Sequence, residues 1–431
     1  MLIVDISETL EYIHNVKWQN VKPGLERIRT LLSALGNPEK SLKFVHVAGT
    51  NGKGSTSACI ASVLQEAGYR TGLFISPYIL RFNERMQVNG EHIPDEELIA
   101  LTGRIRPFAD SMADPPTEFE MITALAMQFF LDRQCDIVVL EVGMGGELDS
   151  TNIIETPELA VITAIGLDHV KELGPELTDI AKAKAGIIKR NGSVLIYGGE
   201  PEVEDVFTGT CAAQGAKLHK ADFGRIKSIE YSLNGTKFSP EPYGTVELPL
   251  IGAYQPKNAL VAVTAAELLR EKGYIISDND IIKGISSVKW PGRFEILGRE
   301  PVFILDGAHN PQGIEAAAES IRRHFGGRKV VFLFGVSADK DIGTMIPFIA
   351  PLAESFIAIK PDNPRSMDAG KLAALLSSTG VPVSAPGTVS EGVARALETA
   401  GRDGIVCALG SLFISAPVRE AYAIHKSRQF A

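Results

Sequence analysis

Short β-branched, apolar runs recur along the first half of the chain, each closed by a glycine or polar turn and followed by a stretch of helical periodicity. This alternation predicts βαβ units and a mostly parallel sheet, with strands at Phe44–Ala48, Gly72–Ile75, Ile137–Val142, Leu159–Ala164 and Val194–Tyr197. Between them, Ser55–Ala67 and Glu118–Arg133 have helical character. Residues 199–250 are richer in turns and lack the alternation, so they read as less regular structure attached to the first sheet. A second series follows Trp290-Pro291-Gly292-Arg293, with strands expected at Val302–Leu305, Lys329–Phe334, Ser355–Ile359 and Ile405–Leu409. The Pro-Gly interruption marks the expected domain boundary, dividing residues 1–293 from 294–431. No low-complexity segment or fixed-period repeat interrupts the pattern.

Length supports the division. The chain has 431 residues, whereas single hydrophobic cores stop growing at roughly 250–300. Hydrophobic residues at 45% and charged residues at 22% give a globular balance that argues against disorder. With 43 basic and 52 acidic side chains the net charge is −9, which argues against broad binding to nucleic acid or an anionic membrane. Cys59, Cys135, Cys211 and Cys407 have no zinc or disulfide spacing and read as buried apolar residues of a reducing compartment. The start, Met1–Glu8, lacks a basic segment followed by a long apolar one, and no run approaches the roughly 20 apolar residues of a membrane helix. The expectation is a cytoplasmic protein that holds any anionic ligand in a local site.

That site is signalled by Gly49-Thr50-Asn51-Gly52-Lys53-Gly54-Ser55-Thr56, which leaves one predicted strand and opens a helix. Successive backbone N–H groups and a helix N-terminus attract phosphate oxygens there; Lys53 adds a point charge, and Ser55 or Thr56 offers a hydroxyl to Mg²⁺. The spacing departs from GxxxxGK[ST]: only Thr50 and Asn51 separate Gly49 from Gly52, and Gly54 stands between the lysine and the hydroxyl. Glu141, near the end of the apolar run Ile137–Val142, places a carboxylate that would be costly to bury alone. Its partner is either magnesium or a buried lysine or arginine. Ser76, Asp168 and His169 also stand at predicted strand ends, where open α/β sheets bind ligands. Either a second cation or ordinary capping and surface roles would suit Ser76 and His169.

Seven stretches in order resemble the Mur ligase superfamily and, within it, the folylpolyglutamate synthase/dihydrofolate synthase family. They are His46–Ser55, Phe74–Tyr78, Glu141–Gly146, Lys184–Ile187, Gln255–Ala259, Pro291–Arg293 and Asp306–Pro311. The resemblance implies an N-terminal P-loop-type nucleotide-binding domain with a mostly parallel sheet and a smaller C-terminal Rossmann-like α/β domain. It implies that Asn51, Gly52, Lys53, Gly54 and Ser55 hold the phosphates of ATP, with Asn258, Arg293 and Asp306 as further nucleotide contacts. Ser76, Glu141 and His169 match positions for Mg²⁺, two ions being expected. Lys184 matches a lysine that is carbamylated in the family; spacing alone does not separate it from Lys182 or Lys189. Thr117, Phe119 and Glu120, with Leu148, Asp149 and Ser150, match positions for the pterin-bearing substrate. Phe119 could equally stack on a flat heterocycle or serve the core. Where many relatives carry arginine after the paired glycines this chain has Glu147, so a basic contact to an anionic ligand is missing.

The implied reaction is stepwise. A folate or dihydropteroate carboxylate attacks the γ-phosphate of ATP, giving an acyl phosphate and ADP, and the amine of L-glutamate then displaces phosphate. Lys53, Lys184 and His309 are the candidate catalytic residues, His309 for orienting glutamate or handling its amine proton. The chain is expected to act as a monomer on small molecules, without a nucleic-acid or membrane partner. The alternatives are a ligase with one of the two activities, another Mur-type ligase, or a nucleotide-gated switch. The last is disfavoured because no NKxD-like base-recognition signal lies near the loop.

Overall fold

The computed structural model describes residues 5–15, 23–361 and 363–429. Of the N-terminal run Met1–Glu8, the first four residues therefore lie outside the described residues. By its packing the chain divides into two units: residues 1–226, 240–246 and 257–288 form the first, and 227–239, 247–256 and 289–431 the second.

The first unit is built on eight strands: β1 (Phe44–Ala48), β2 (Thr71–Phe74), β3 (Met86–Val88), β4 (Glu91–His92), β5 (Ile137–Glu141), β6 (Leu159–Ile162), β7 (Ser193–Ile196) and β8 (Lys217–Lys220). They are ordered β4-β3-β2-β5-β1-β6-β7-β8. β3 pairs antiparallel with both β2 and β4, and the remaining pairs are parallel. Every residue of β1, β5 and β6 is buried, as expected of central strands covered on both faces. The chain leaves β1 toward β2 on one side and leaves β6 toward β7 on the other, so loops part above the middle of the sheet. Such a switch point leaves a crevice for a ligand at the carboxyl ends of the strands. One face is covered by the helix Glu118–Asp132 and its neighbours around Phe74, Phe129 and Phe130. A separate cluster around Ile162, Val194 and Phe207 serves the far strands.

Residues 199–250 differ from the sequence expectation. They contain a helix at Pro201–Gln214 and the edge strand β8, then an antiparallel sheet of β9 (Ile226–Ser232), β10 (Gly235–Pro240) and β11 (Val246–Leu248). Most of that sheet belongs to the second unit rather than the first. Its strands escaped detection because β9 has no buried position and β10 buries only alternate residues.

The second unit's main sheet comprises β12 (Glu295–Arg299), β13 (Val302–Leu305), β14 (Val330–Phe334), β15 (Ala353–Ala358), β16 (Val383–Ser384) and β17 (Ile405–Leu409). The order is β12-β13-β17-β14-β15-β16, parallel except for the edge strand β12. Apolar clusters around Phe332 and Phe356 on one face and Phe303 and Tyr422 on the other make it a second core in its own right.

Candidate active site

The polypeptide leaves β1 through Gly49 and Gly52, whose φ angles of 147° and 87° suit glycine alone. Added atoms would also collide: a Cβ on Gly49 would lie 1.8 Å from Thr163 Oγ1, and one on Gly52 2.7 Å from Asn258 Oδ1. Asn258, distant in sequence, is thus seated against the phosphate loop. The loop is pinned to the end of β6, since Thr50 N and Asn51 N donate to Ala164 O at 2.9 and 3.2 Å. The helix Lys53–Glu66 starts directly behind it, with Gly54 and Ser55 in its buried first turn. The N–H groups of its first turn and its dipole make this end an anion site. Lys53 Nζ lies 3.3 Å from Thr50 O and so stays beside the loop.

Lys184, in the last turn of the helix Leu177–Ala185, is buried and donates from Nζ to Gly49 O at 2.8 Å. Burial, reinforced by the charge of Lys53, depresses its pKa to about 7 against the opposing pull of Asp168 and Asp149. Lys182 is exposed and pairs with Asp179, and Lys189 donates to Asn152 O, so the structure separates three lysines that spacing could not.

Glu141 is buried at the end of β5, and its Oε2 accepts from Ser76 N at 3.3 Å. Ser76 precedes a cis proline, Pro77, and its Oγ accepts from Arg85 Nη1 at 3.2 Å. Arg85 was not legible as a site residue. Its guanidinium is buried over the rings of Tyr78 and Phe82, 5.1 and 5.7 Å from their centroids. Desolvation lowers its pKa while Glu118, Tyr78 and Glu141 pull the other way, so a buried arginine does attend Glu141. His169 is exposed, with a left-handed φ of 50°, and its N–H is held by Asp168 Oδ1 at 2.8 Å. Among the described residues no group of three or more His, Cys, Asp or Glu is arranged around a metal position. The Ser76 hydroxyl and Glu141 carboxylate are hard oxygen donors of the kind magnesium takes in ones and twos beside phosphate. They fit the ion better than the imidazole of His169.

The positions matched to a pterin are mostly engaged in structure. Thr117 caps the helix Glu118–Asp132, and Glu120 answers it through the bond from Thr117 N at 2.6 Å. Glu120 also accepts from Arg27 Nε at 2.9 Å. Phe119 lies 6.0 Å from the Phe74 ring and fills the space that a Cβ on Gly143 would need. In the turn after β5 the outward side chains are Met144, Glu147 and Leu148, while Asp149 and Ser150 turn inward.

In the second unit Asp306 is buried at the exit of β13. Its Oδ2 accepts from Phe294 N at 2.8 Å and Tyr254 OH at 3.1 Å, and its Oδ1 from Ala308 N at 2.7 Å. Phe294 is fully buried with a left-handed φ of 50°, a costly conformation for an aromatic residue that the Asp306 bond helps to hold. Arg293 therefore projects from a constrained backbone, close enough to Gly307 that a Cβ there would meet its Nη1 at 3.1 Å. Desolvation raises the Asp306 pKa, and Arg293 is the main opposing influence. His309 Nδ1 lies 2.7 Å from Gly307 O. Arg293, Asp306 and His309 thus meet around the turn at Gly307. Tyr254 went unrecognised because nothing local marks a tyrosine as the partner of an aspartate 52 residues away.

Two family models account for most of the chain: "Mur ligase middle domain" matches residues 47–266, and "Mur ligase, glutamate ligase domain" residues 292–412. The chain belongs to the Mur ligase family. This Mur ligase is 39% identical over 371 residues to the dihydrofolate synthase/folylpolyglutamate synthase of Bacillus subtilis, covering 82% of this chain and 85% of that one. It is 34% identical to the folylpolyglutamate synthase of Lacticaseibacillus casei, covering 98% of this chain and 100% of the other. Among solved structures, Mycobacterium tuberculosis folylpolyglutamate synthase complexed with ADP superposes with a TM-score of 0.90 at 27% identity, covering 97% of this chain and 98% of that one. Escherichia coli FolC in complex with DHPP and ADP gives 0.87 at 30% identity, covering 99% of each chain.

Proposed function

We propose that this Mur ligase uses ATP to join L-glutamate to folate, as tetrahydrofolate, and to dihydropteroate, through an acyl phosphate and with release of ADP and phosphate. The relatives named for both activities support this reading. The observation that carries it is the pairing of a phosphate loop at a helix N-terminus with two lysines, Lys53 and the buried Lys184, both held to carbonyls of that loop. Phosphoryl transfer asks mainly for positioning and charge neutralisation. The loop N–H groups and Lys53 would hold the β- and γ-phosphates, with Asn258 beside Gly52 and Arg293 as a further cation. Ser76 and Glu141, with His169 as a third candidate, would hold Mg²⁺, which when bound spreads the charge of the transferring group. Asp306 would act through Arg293, and His309 would orient glutamate or accept its amine proton. Thr117, Phe119, Glu120, Leu148, Asp149 and Ser150 would shape the pterin side. We place the domain boundary close to residue 293; the gap between the two family segments, from 266 to 292, supports a junction in this stretch, and by packing the second unit resumes at 289 after taking in 227–239 and 247–256.

We read the protein as a cytoplasmic monomer. No helix among the described residues is long and apolar enough to cross a membrane, and all four cysteines are buried and unpaired.

Incubation with ATP, magnesium, L-glutamate and either dihydropteroate or tetrahydrofolate is expected to sustain ADP formation over many turnovers only when glutamate and a pterin are both present. ADP formation independent of both would overturn the ligase reading, and product from only one pterin would select the single-activity alternative. In the same assay Glu141→Ala is expected to lose at least about a hundredfold in turnover, by analogy with loss of one electrostatic stabiliser. Full activity in that variant would remove Glu141 from the metal site.

Lys184 offers a pH-dependent test of its modification. A neutral amine adds CO₂ to form a carbamate and release a proton, whereas an ammonium does not. With its pKa pressed to about 7, Lys184 is protonated below that pH and free above it, while ordinary lysines stay charged to about pH 10. At constant dissolved ¹³CO₂ the carbamate signal is expected to rise through neutral pH and to vanish in Lys184→Met. An identical signal in that variant would exclude Lys184 as the acceptor.

A further inference from the structure

His46 stands in the middle of β1, three residues before Gly49 and wholly removed from solvent. Its Nε2 lies 2.9 Å from Thr151 Oγ1, and its Nδ1 has no partner among the described residues. A half-satisfied imidazole in an apolar strand is costly, and the chemistry proposed for the site makes no use of it.

The bonds beyond Thr151 explain its presence. Thr151 Oγ1 donates to Asp149 Oδ1 at 2.5 Å, and Thr151 N donates to the same oxygen at 3.0 Å. Met144 N donates to Asp149 Oδ2 at 2.9 Å, and Gly143 N contributes as well. Burial raises the Asp149 pKa, while the bonds from the Thr151 hydroxyl and the converging N–H groups oppose it and favour the carboxylate, which can only accept. The threonine proton is therefore committed to Asp149, its oxygen must accept, and His46 must present Nε2–H. Burial, with Lys189 adding to it, holds the ring down at about 3, so the imidazole stays neutral and this is a fixed link rather than a pH switch.

A second set of bonds closes a circuit around the site. Glu147 N donates to Ala183 O at 2.9 Å, and Asn152 Nδ2 bridges Glu147 O and Gly186 O at 2.9 and 3.1 Å. A Cβ on Gly186 would lie 2.4 Å from Glu147 Cα, so the loop sits directly on the end of the Lys184 helix. Lys184 in turn holds Gly49 O at 2.8 Å, at the exit of the strand that carries His46. The turn Ser150–Ile153 ties the loop of residues 143–149 to β1 through Thr151 and to the lysine helix through Asn152.

We propose that His46 is a positioning residue that orients Asp149 through Thr151 and so registers the 143–149 loop against the phosphate loop at the end of the same strand. The proposal rests on the reading of that loop as the pterin side of the site. Small displacements of a substrate-holding group are enough to cost a factor of ten or more.

His46→Leu is expected to raise KM for the pterin substrate about tenfold while leaving kcat and KM for ATP within about twofold. His46→Gln, whose amide N–H can reach Thr151, is expected to restore KM. Thr151→Val should match His46→Leu, Thr151→Ser should resemble the parent, and the Leu/Val double variant should lose no more than either single one. Equal changes in KM for ATP and pterin, additive losses, or a Gln variant no better than Leu would overturn the relay. Should the Leu variant fail to fold, ¹⁵N spectra of the parent's histidines decide the matter: an Nε2–H tautomer at His46 supports the relay and Nδ1–H overturns it. That spectrum is independent of turnover, so a parent enzyme without pterin-dependent ADP formation would fault the assigned activity and leave the relay standing or falling on its own result.

Discussion

Lys53→Met is expected to lower kcat/KM for ATP by roughly 10²–10³-fold, the cost of removing one preorganised group from a developing charge. The side chain is only partly buried, and its ammonium donates to Thr50 O at 3.3 Å. Little stability depends on it, so the unfolding midpoint in denaturant should stay where it is. Arginine should not substitute well, because a compact ammonium beside the loop is not interchangeable with a planar fork. The same change carries a second signature. After burial itself, the charge of Lys53 is the main influence depressing the Lys184 pKa, so the pH at which Lys184 takes up ¹³CO₂ should move upward in Lys53→Met. Unchanged kinetics with ATP would remove Lys53 from the phosphate site.

Asp306→Ala is expected to have the largest effect on stability. The carboxylate receives Phe294 N, Tyr254 OH and Ala308 N, and its loss leaves three buried donors without an acceptor. Each such donor costs about 1–3 kcal/mol. Release of the aspartate's own desolvation, which burial makes unfavourable, offsets part of this. A net loss of about 3 kcal/mol or more is expected, read as a lower denaturation midpoint. The left-handed backbone at Phe294 would also lose a restraint, so Arg293 should lose its placement and KM for ATP should rise. Tyr254→Phe removes one bond and leaves the carboxylate its two backbone donors, so it should cost about 1 kcal/mol. A midpoint unmoved in Asp306→Ala would show that the network contributes nothing to folding.

The strands of both units were readable because covered parallel strands must be apolar on both faces, and Phe44–Ala48, Val302–Leu305 and Ile405–Leu409 appear where expected. Others moved by a residue or two at their ends: Leu159–Ile162 stops before Ala164, whose carbonyl instead receives the phosphate loop. The three-stranded sheet of residues 226–248 was missed for the opposite reason. Its strands are half exposed and polar, so pairing alone identifies them.

The same division runs through the site. The glycine loop announces itself locally, since backbone that must approach phosphate cannot carry side chains. Neither His46, a lone polar residue in an apolar strand, nor Arg85, one charge among several polar neighbours, does so, because each gains its meaning from partners far away in the chain, Thr151 for one and Glu141 for the other. By itself the sequence determined two α/β units and a phosphate loop between a strand and a helix, because strand burial and anion binding impose patterns within a few neighbouring residues. Only tertiary structure decided which lysine is buried with its pKa depressed, which carboxylates are already engaged, and how β1, the turn at Thr151 and the Lys184 helix close on one another. Those outcomes depend on desolvation and hydrogen-bond geometry between groups separated by up to 135 residues, and no local pattern carries them.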